Sequence, residues 1–309
     1  MRIAEAESGA IAEAAAILKR GGLVAMPTET VYGLAADAAN ARAVAHLFAV
    51  KGRPRFNPLI AHVRDLDAAR MEAVLHPRAE ELAGAFWPGP LTLVAPRAAG
   101  GRACDLACAG LSTIAVRAPA HDAAQALIAA FGGPIVAPSA NRSGRVSPTT
   151  ARHVAADLGA DVDLILDGGP CRFGLESTIV AIGADGRGTL LRPGAIARGA
   201  IEAITGPLAA PSGAIEAPGM LSAHYAPRAR LRLNAEAPDS DEVYLGFGAY
   251  AHGPHTLSQT GDLEEAAARL YAMLRALDAT GAAAIAVAPV PAHGLGEAIN
   301  DRLRRAAAQ

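Results

Sequence analysis

The chain has 309 residues, 51% of them hydrophobic but only 4% aromatic, and about a quarter of them are alanine. That length exceeds one ordinary core and predicts two domains, with interiors built from Leu, Val, Ile and Ala. A formal net charge of −2 argues against a wholesale basic nucleic-acid binder, although a local basic groove is compatible with it.

Of 28 basic residues only Lys19 and Lys51 are lysine. Composition bias explains most of this scarcity. Neither lysine lies in G-x-x-x-x-G-K-S/T or S-x-x-K, which excludes a Walker P-loop and that nucleophile pair. Cys104, Cys108 and Cys171 form no C-x-x-C and predict a reducing compartment. The acidic N-terminus, MRIAEAESGA, lacks a secretory apolar core. The longest uncharged run, residues 279–296, is broken by Pro289, Pro291 and His293, so no membrane span is expected. The composition therefore predicts a soluble, cytoplasmic protein.

Residues 10–20 read as a helix, with Ser8 as N-cap and Gly21-Gly22 as its stop. A buried strand at 23–26 follows, then a helix at 41–50 and a strand at 58–63. Two short helical stretches precede strands at 91–96, 112–117 and 134–139. Helical segments near 121–131 and 149–158 flank the last of these, the second capped by Ser147-Pro148. Strands at 163–167, 177–182 and 189–192 complete an α/β domain over residues 1–205. Their irregular spacing predicts a mixed sheet. Residues 206–230 are rich in proline and small residues, a linker by composition. It is long for one, since loops above about 12–15 residues are usually functional or disordered, and Met220, His224 and Tyr225 are unlike inert-linker residues. Strands at 242–248 and 284–290 with helices at 263–277 and 296–308 predict a small β-α-β-α domain over residues 231–309.

Chemistry concentrates between Pro27 and Val63. PTETVYGLAADAAN follows a strand with turn-prone and hydroxyl residues, leaving Thr28, Thr30 and backbone N–H groups to bind something small. KGRPRFNPL then places Lys51, Arg53 and Arg55 within five residues, stiffened by Gly52, Pro54 and Pro58. Charge alone reads equally as a solvated loop or a polyanion site; three mutually repelling cations that cannot bury themselves, in so rigid a loop, favour phosphate. A second polar loop, APSANRSGRVSPT, follows the strand at 134–139, and a loop at the carboxyl end of a strand is where α/β sheets place ligands. GLESTIV puts Glu176, Ser177 and Thr178 at a strand entrance, and LLRPGAI puts Arg192 at a strand end.

Taken together and in order, PTETVYGL, KGRP-x-x-NPL, STIAVR, SAN-x-SG-x-x-SPT, ESTIV and LLRPG resemble the YrdC-like family. The PGM-x-x-x-HYAP linker and the extra C-terminal domain resemble its long, two-domain threonylcarbamoyl-AMP synthases. The resemblance implies an α/β fold: a mixed twisted sheet domain, with a second, smaller, Rossmann-like α/β domain at the C-terminus. It implies condensation of L-threonine, bicarbonate or CO2, and ATP into threonylcarbamoyl-AMP with release of pyrophosphate. The product would pass to a separate transferase complex that modifies adenosine 37 of tRNA. By motif position Thr30, His62, Arg117, Ser177 and the Ala137 backbone would contact threonine. Lys51, Arg53, Asn57 and Thr113 would hold ATP, together with Ser139, Ser147 and Arg192, and Tyr225 would fold over it. Lys51 and Arg53 would neutralise the triphosphate as the catalytic groups, with Mg2+ carried on the phosphates and no metal bound by side chains. Asn141, Arg142 and Arg145 are weaker members of the set.

An RNA-binding module on the same fold is disfavoured by near-neutral charge and few aromatics, so direct tRNA binding stays open. A carbamoyl-phosphate-using relative is disfavoured by the absence of paired C-x-x-C motifs. Trp87 reads as a packing anchor and His46 as a structural residue. Cys104 and Cys108 could share a helix face, and His252 and His255 read as solvated. Arg302, Arg304 and Arg305 read as a basic helix end suited to the helix dipole.

Overall fold

The computed structural model describes residues 1–211, 213, 217, 218 and 224–308; Met220 and most of the PGM-x-x-x stretch lie outside them. Strand β1 (Arg2–Glu5) leads into α1 (Ser8–Lys19), which buries Ala14, Ala15, Ile17 and Leu18. Ser8 is the first helical residue and not its cap; Glu7 holds that position without a side-chain bond. β2 (Val24–Met26) and β3 (Gly33–Asp37) form an antiparallel pair. α2 (Ala41–Lys51) starts at Asn40, whose side chain accepts from the N–H groups of Arg42 and Ala43, and stops at Gly52 with φ 60°. Next come β4 (Ile60–His62), α3 (Leu66–Glu72), α4 (Pro77–Phe86), β5 (Leu91–Pro96) and β6 (Thr113–Arg117). α5 (Asp122–Phe131) and β7 (Ile135–Val136) precede α6 (Ala151–Leu158). The cap of α6 is Thr150, which accepts from the His153 N–H, and not Ser147-Pro148. β8 (Leu164–Asp167), β9 (Thr178–Ile182), β10 (Gly188–Arg192) and α7 (Arg198–Thr205) close this part of the chain.

The ten strands form one mixed sheet in the order β1-β8-β2-β3-β7-β4-β6-β5-β9-β10. Two of them escape the sequence pattern. β1 is a mostly exposed edge strand without alternation, and β3 reads GLAAD, with no β-branched residue. β3 pairs on both sides and its first four residues are buried, so small alanines suit its crowded position. In the parallel pairing of β4 with β6, His62 stands opposite Arg117, which brings both to one point on the sheet. A bridge between Gly33 and Ser139 brings the loop after β7 to the same place.

A second sheet, wholly parallel, has the order β11-β13-β12, from β11 (Arg230–Arg232), β12 (Glu242–Leu245) and β13 (Ala284–Val287). β11, with no buried residue, is the strand that the β-α-β-α reading misses. α8 (Leu263–Asp278), capped by Asp262, and α9 (Gly296–Ala307) complete this unit. α8 buries Ala266, Ala267, Leu270, Tyr271, Leu274 and Leu277, a stripe with helical spacing.

The two sheets share an intimate boundary. At Gly174, φ 65°, an added Cβ would lie 2.5 Å from the Ala268 carbonyl oxygen, so glycine there lets the loop before β9 rest on α8. Arg198 of α7 pairs with Glu297 of α9 at 2.6 Å. Elsewhere Trp87 packs against the larger core and donates Nε1–H to the Leu91 carbonyl. His46 is exposed, not structural, because it lies on the outer face of α2. Cys104 and Cys108 lie in turns and share no helix face. Arg302 is buried at 1% exposure, not part of a solvated basic end. Among the described residues no helix is long and apolar enough to cross a membrane.

Candidate active site

The loops after β2 and β7, the ends of β4 and β6, and the entrance to β9 converge on a cleft. Thr30, His62, Arg117, Ala137, Ser139 and Ser177 line it, all predicted site residues. Arg53, Arg192 and Tyr225 line it as well, joined by Glu176 and His224. Thr28 organises the first wall: its hydroxyl donates to the Val31 carbonyl at 2.6 Å and accepts from the N–H groups of Thr30 and Val31. This turn sets the Thr30 hydroxyl 2.8 Å from that of Thr28.

Arg117 Nη2 donates to Glu29 Oε1 at 2.7 Å, and Nε donates to the Gly89 carbonyl at 3.3 Å. Both ionic side chains are 5% exposed. The other carboxylate oxygen of Glu29 is buried without a partner. His62 rests its Nδ1 3.2 Å from the Ile60 carbonyl. Burial, reinforced by the Arg117 charge, pulls its pKa down to about 3, so the ring is neutral at ordinary pH. The Ser177 hydroxyl lies 2.7 Å from that of Thr92. Arg192 donates through Nε and Nη2 to the Ser177 carbonyl at 3.1 and 2.9 Å, and through Nη2 to its hydroxyl at 3.1 Å. At Gly194 a Cβ would approach the Glu176 carbonyl oxygen to 2.5 Å, so glycine lets the LLRPG turn lie against the ESTIV backbone.

The cations of KGRPR correct one sequence expectation: Lys51 and Arg53 are buried, at 2% and 8% exposure, and only Arg55 is exposed. Lys51, the last residue of α2, donates to the Ser139 and Asn141 carbonyls. Arg53 donates to the carbonyls of Asn57 and Pro58 at 3.2 and 2.9 Å. Chain turns thus present acceptors that make burial of the charges tolerable. Burial and the neighbouring Arg53 push Lys51 well below the usual lysine range, and burial pulls Arg53 down to about 10.

Not every predicted residue reaches the cleft wall. Lys51, Asn57 and Ser147 are buried but absent from the lining, and Thr113 is half-buried at the opposite end of β6 from Arg117. Asn57 is nonetheless notable, because neither polar atom of its amide has a partner. Asn141 spends its amide nitrogen on the Arg142 and Arg145 carbonyls, and Arg142 pairs with Asp161.

Sequence reasoning gave no site role to Glu29, Glu176, Tyr271 and Arg302, and read the last as part of a basic helix end. Glu29 stands in PTETV, where its carboxylate is hidden among hydroxyl residues. Glu176 accepts from the Ser147 hydroxyl at 2.6 Å, from Tyr271 at 2.8 and 3.0 Å, and from Arg302 Nε at 2.8 Å. Burial alone would raise its pKa, but the charges of Arg302 and Arg192 and the bonds from Ser147 and Arg302 bring it down to about 2. A signal for Arg302 exists in the chain: it falls on the stripe Ala298, Ile299, Leu303 and Ala306 that α9 buries.

A buried arginine, a neutral histidine and a set of hydroxyls beside further buried cations make a cleft whose chemistry suits small anionic ligands. Residues 16–194 match the family model described as "Telomere recombination" (Sua5, YciO, YrdC), and residues 196–308 match "Threonylcarbamoyl-AMP synthase, C-terminal domain". The chain belongs to this Sua5/YciO/YrdC family. It is 40% identical to a threonylcarbamoyl-AMP synthase of Bacillus subtilis, over 96% of this chain and 92% of that protein. It is likewise 40% identical to one of Pyrococcus abyssi, over 95% and 92%. The crystal structure of P. abyssi Sua5 complexed with L-threonine superposes with a TM-score of 0.91 at 38% identity, covering 99% of this chain and 98% of that one. E. coli YciO shares the fold over 61% of this chain and 90% of its own, with a TM-score of 0.54 and 22% identity.

Proposed function

We propose that this chain is a threonylcarbamoyl-AMP synthase. The observation that carries the reading is the gathering of Thr30, His62, Arg117 and Ser177, from four separate segments, around one cleft beside Arg53 and Arg192. Residues 1–205 form the catalytic domain, 206–230 a linker, and 231–309 a small C-terminal domain.

Arg117 takes the threonine carboxylate with the part of its fork that faces the cleft, while Glu29 holds the guanidinium in orientation. Neutral His62 adds no charge that would repel the substrate ammonium. Threonine's amine, once deprotonated, adds to CO2 to give a carbamate. A carbamate oxygen then attacks the α-phosphorus of ATP, and pyrophosphate leaves. Such a displacement needs positioning and charge neutralisation more than a protein nucleophile. Arg53 and Arg192 supply positive charge at the cleft wall. Lys51, just behind the wall, anchors the Ser139–Asn141 turn, with Ser139 and Asn57 as polar partners of the nucleotide. Ser147 and Tyr225 complete the nucleotide contacts; Thr113, half-buried at the far end of β6 from Arg117, is not among them. Mg2+ arrives on the ATP phosphates, as part of the substrate. The product is a mixed anhydride, suited to a second enzyme that transfers the threonylcarbamoyl group to tRNA adenosine 37, and the reaction belongs in the cytoplasm.

The test is pyrophosphate release from ATP and bicarbonate, comparing threonine with serine and glycine. Release should require threonine and fall sharply with the other two. Release that ignores the amino acid, or tRNA binding of steep salt dependence without any threonine-dependent release, would reject the assignment.

A further inference from the structure

Glu176 lines the cleft, and two of the three side-chain partners of its carboxylate come from the C-terminal unit. Tyr271 of α8 reaches it at 2.8 Å and Arg302 of α9 at 2.8 Å, while Ser147, the third partner, belongs to the larger sheet domain. Arg302 is 1% exposed, and a second pair with Asp301 at 2.6 Å steadies its guanidinium. The same two side chains also hold Tyr225. Its ring lies 5.8 Å from that of Tyr271, nearly parallel at 27°, and the Arg302 guanidinium carbon stands 5.0 Å over it. Tyr225 has φ 66°, a left-handed backbone that a non-glycine residue keeps only where its surroundings hold it. Those surroundings are α8 and α9.

We infer that Tyr271 and Arg302 are positioning residues through which the C-terminal unit sets the nucleotide half of the cleft, by fixing Glu176 and Tyr225 together. Glu176 in turn orients the Ser147 hydroxyl, which spends its proton on the carboxylate and leaves its lone pairs and direction defined. An arginine serves here because one planar group spans both tasks: its edge donates to Glu176 and its face covers the Tyr225 ring. This gives the second sheet a function in catalysis although none of its own side chains needs to touch substrate.

The inference rests on the synthase reading, and the experiment separates the two. Full-length chains carrying Arg302→Met, Tyr271→Phe or Glu297→Gln are compared with wild type for ATP affinity, threonine affinity and thermal unfolding. Glu297 makes another ion pair across the boundary, to Arg198, and touches neither Glu176 nor Tyr225, so its variant reports docking alone. Arg302→Met and Tyr271→Phe should weaken ATP binding about tenfold or more while threonine affinity stays within about twofold, and Glu297→Gln should bind both like wild type. Unchanged ATP affinity in folded Tyr271→Phe overturns the inference, as does an equal loss in Glu297→Gln. Tyr271→Phe keeps the ring and removes only the hydroxyl, so it carries the test even where Arg302→Met does not fold. A wild-type chain that binds no ATP removes the synthase reading itself, before any variant is compared.

Discussion

Arg117 and Glu29 form a buried pair at 2.7 Å in which one carboxylate oxygen holds the guanidinium and the other has no partner. The pair sits where the substrate carboxylate is proposed to bind, so two anions share one arginine fork. Glu29→Gln removes the protein's own counter-charge. Breaking a buried pair from one side typically costs about 3–5 kcal/mol, and the variant should lose stability of that order in urea unfolding. Threonine should then raise the unfolding temperature of Glu29→Gln more than that of wild type, because its carboxylate replaces the lost charge. An equal shift in both proteins would place the substrate carboxylate elsewhere.

Lys51 offers a sharper substitution than deletion. Its ammonium donates to two carbonyls in a site that is 2% exposed, and a guanidinium is larger and planar. Lys51→Arg should therefore lower threonine-dependent pyrophosphate release by at least about tenfold, and Lys51→Ala by more. A lysine set only by composition would tolerate arginine, and near-wild-type turnover would identify it as such.

Arg192 bonds Ser177, and so joins the halves proposed for nucleotide and threonine. Charge-assisted hydrogen bonds contribute about 1.5–3 kcal/mol each when buried, so Arg192→Ala should reduce kcat/KM roughly 10- to 100-fold. Because Ser177 is proposed to face threonine, the apparent KM should rise for threonine as well as ATP. A change confined to ATP would show that Ser177 holds its place without Arg192.

Three neutral histidines make the fold acid-sensitive: His62, His224 and the half-buried His153, the last lowered to about 4, chiefly by burial. His62 and His224 are each lowered to about 3, chiefly by burial, from an ordinary value of 6.5. For His224 the Glu176 charge opposes the shift, and Arg53, Lys51 and Arg302 add to it. Their unfolded forms bind protons that the folded forms refuse, so stability rises with pH up to about 6.5 and falls below it, by about 1.4 kcal/mol per histidine per pH unit. Glu176, lowered to about 2, has the same sign but acts only below about pH 4.5. Unfolding free energies between pH 5 and 7 should show the histidine slope in wild type and a shallower one in His62→Gln. Equal slopes would mean that His62 is already charged in the fold.

Most of the larger sheet was legible because its strands are short apolar runs closed by turn residues, as in LTLVAP and STIVAI. β1 and β3 of that sheet, and β11 of the smaller one, were not, since β1 is mostly exposed, GLAAD has no β-branched residue, and RLR is charged with no buried residue. The site showed through as an ordered set of hydroxyl, histidine and arginine motifs. Which of those residues line the cleft did not, since Asn57 and Ser147 carry motif positions yet lie behind its wall.

By itself the sequence determined the α/β class, the order of the site motifs and the chemistry that their side chains allow. Only the tertiary structure decided which charges are buried and what neutralises them. Lys51 and Arg53 look like charges that cannot be buried; Lys51 is enclosed by the Ser139 and Asn141 carbonyls, distant in the chain, and Arg53 by the Asn57 and Pro58 carbonyls of its own folded loop, while Arg302 looks like a helix-end charge and is sealed beneath Tyr225 against Glu176. The reason is physical: local pattern reports which groups are charged, but the cost of burying a charge depends on acceptors that arrive from elsewhere in the fold.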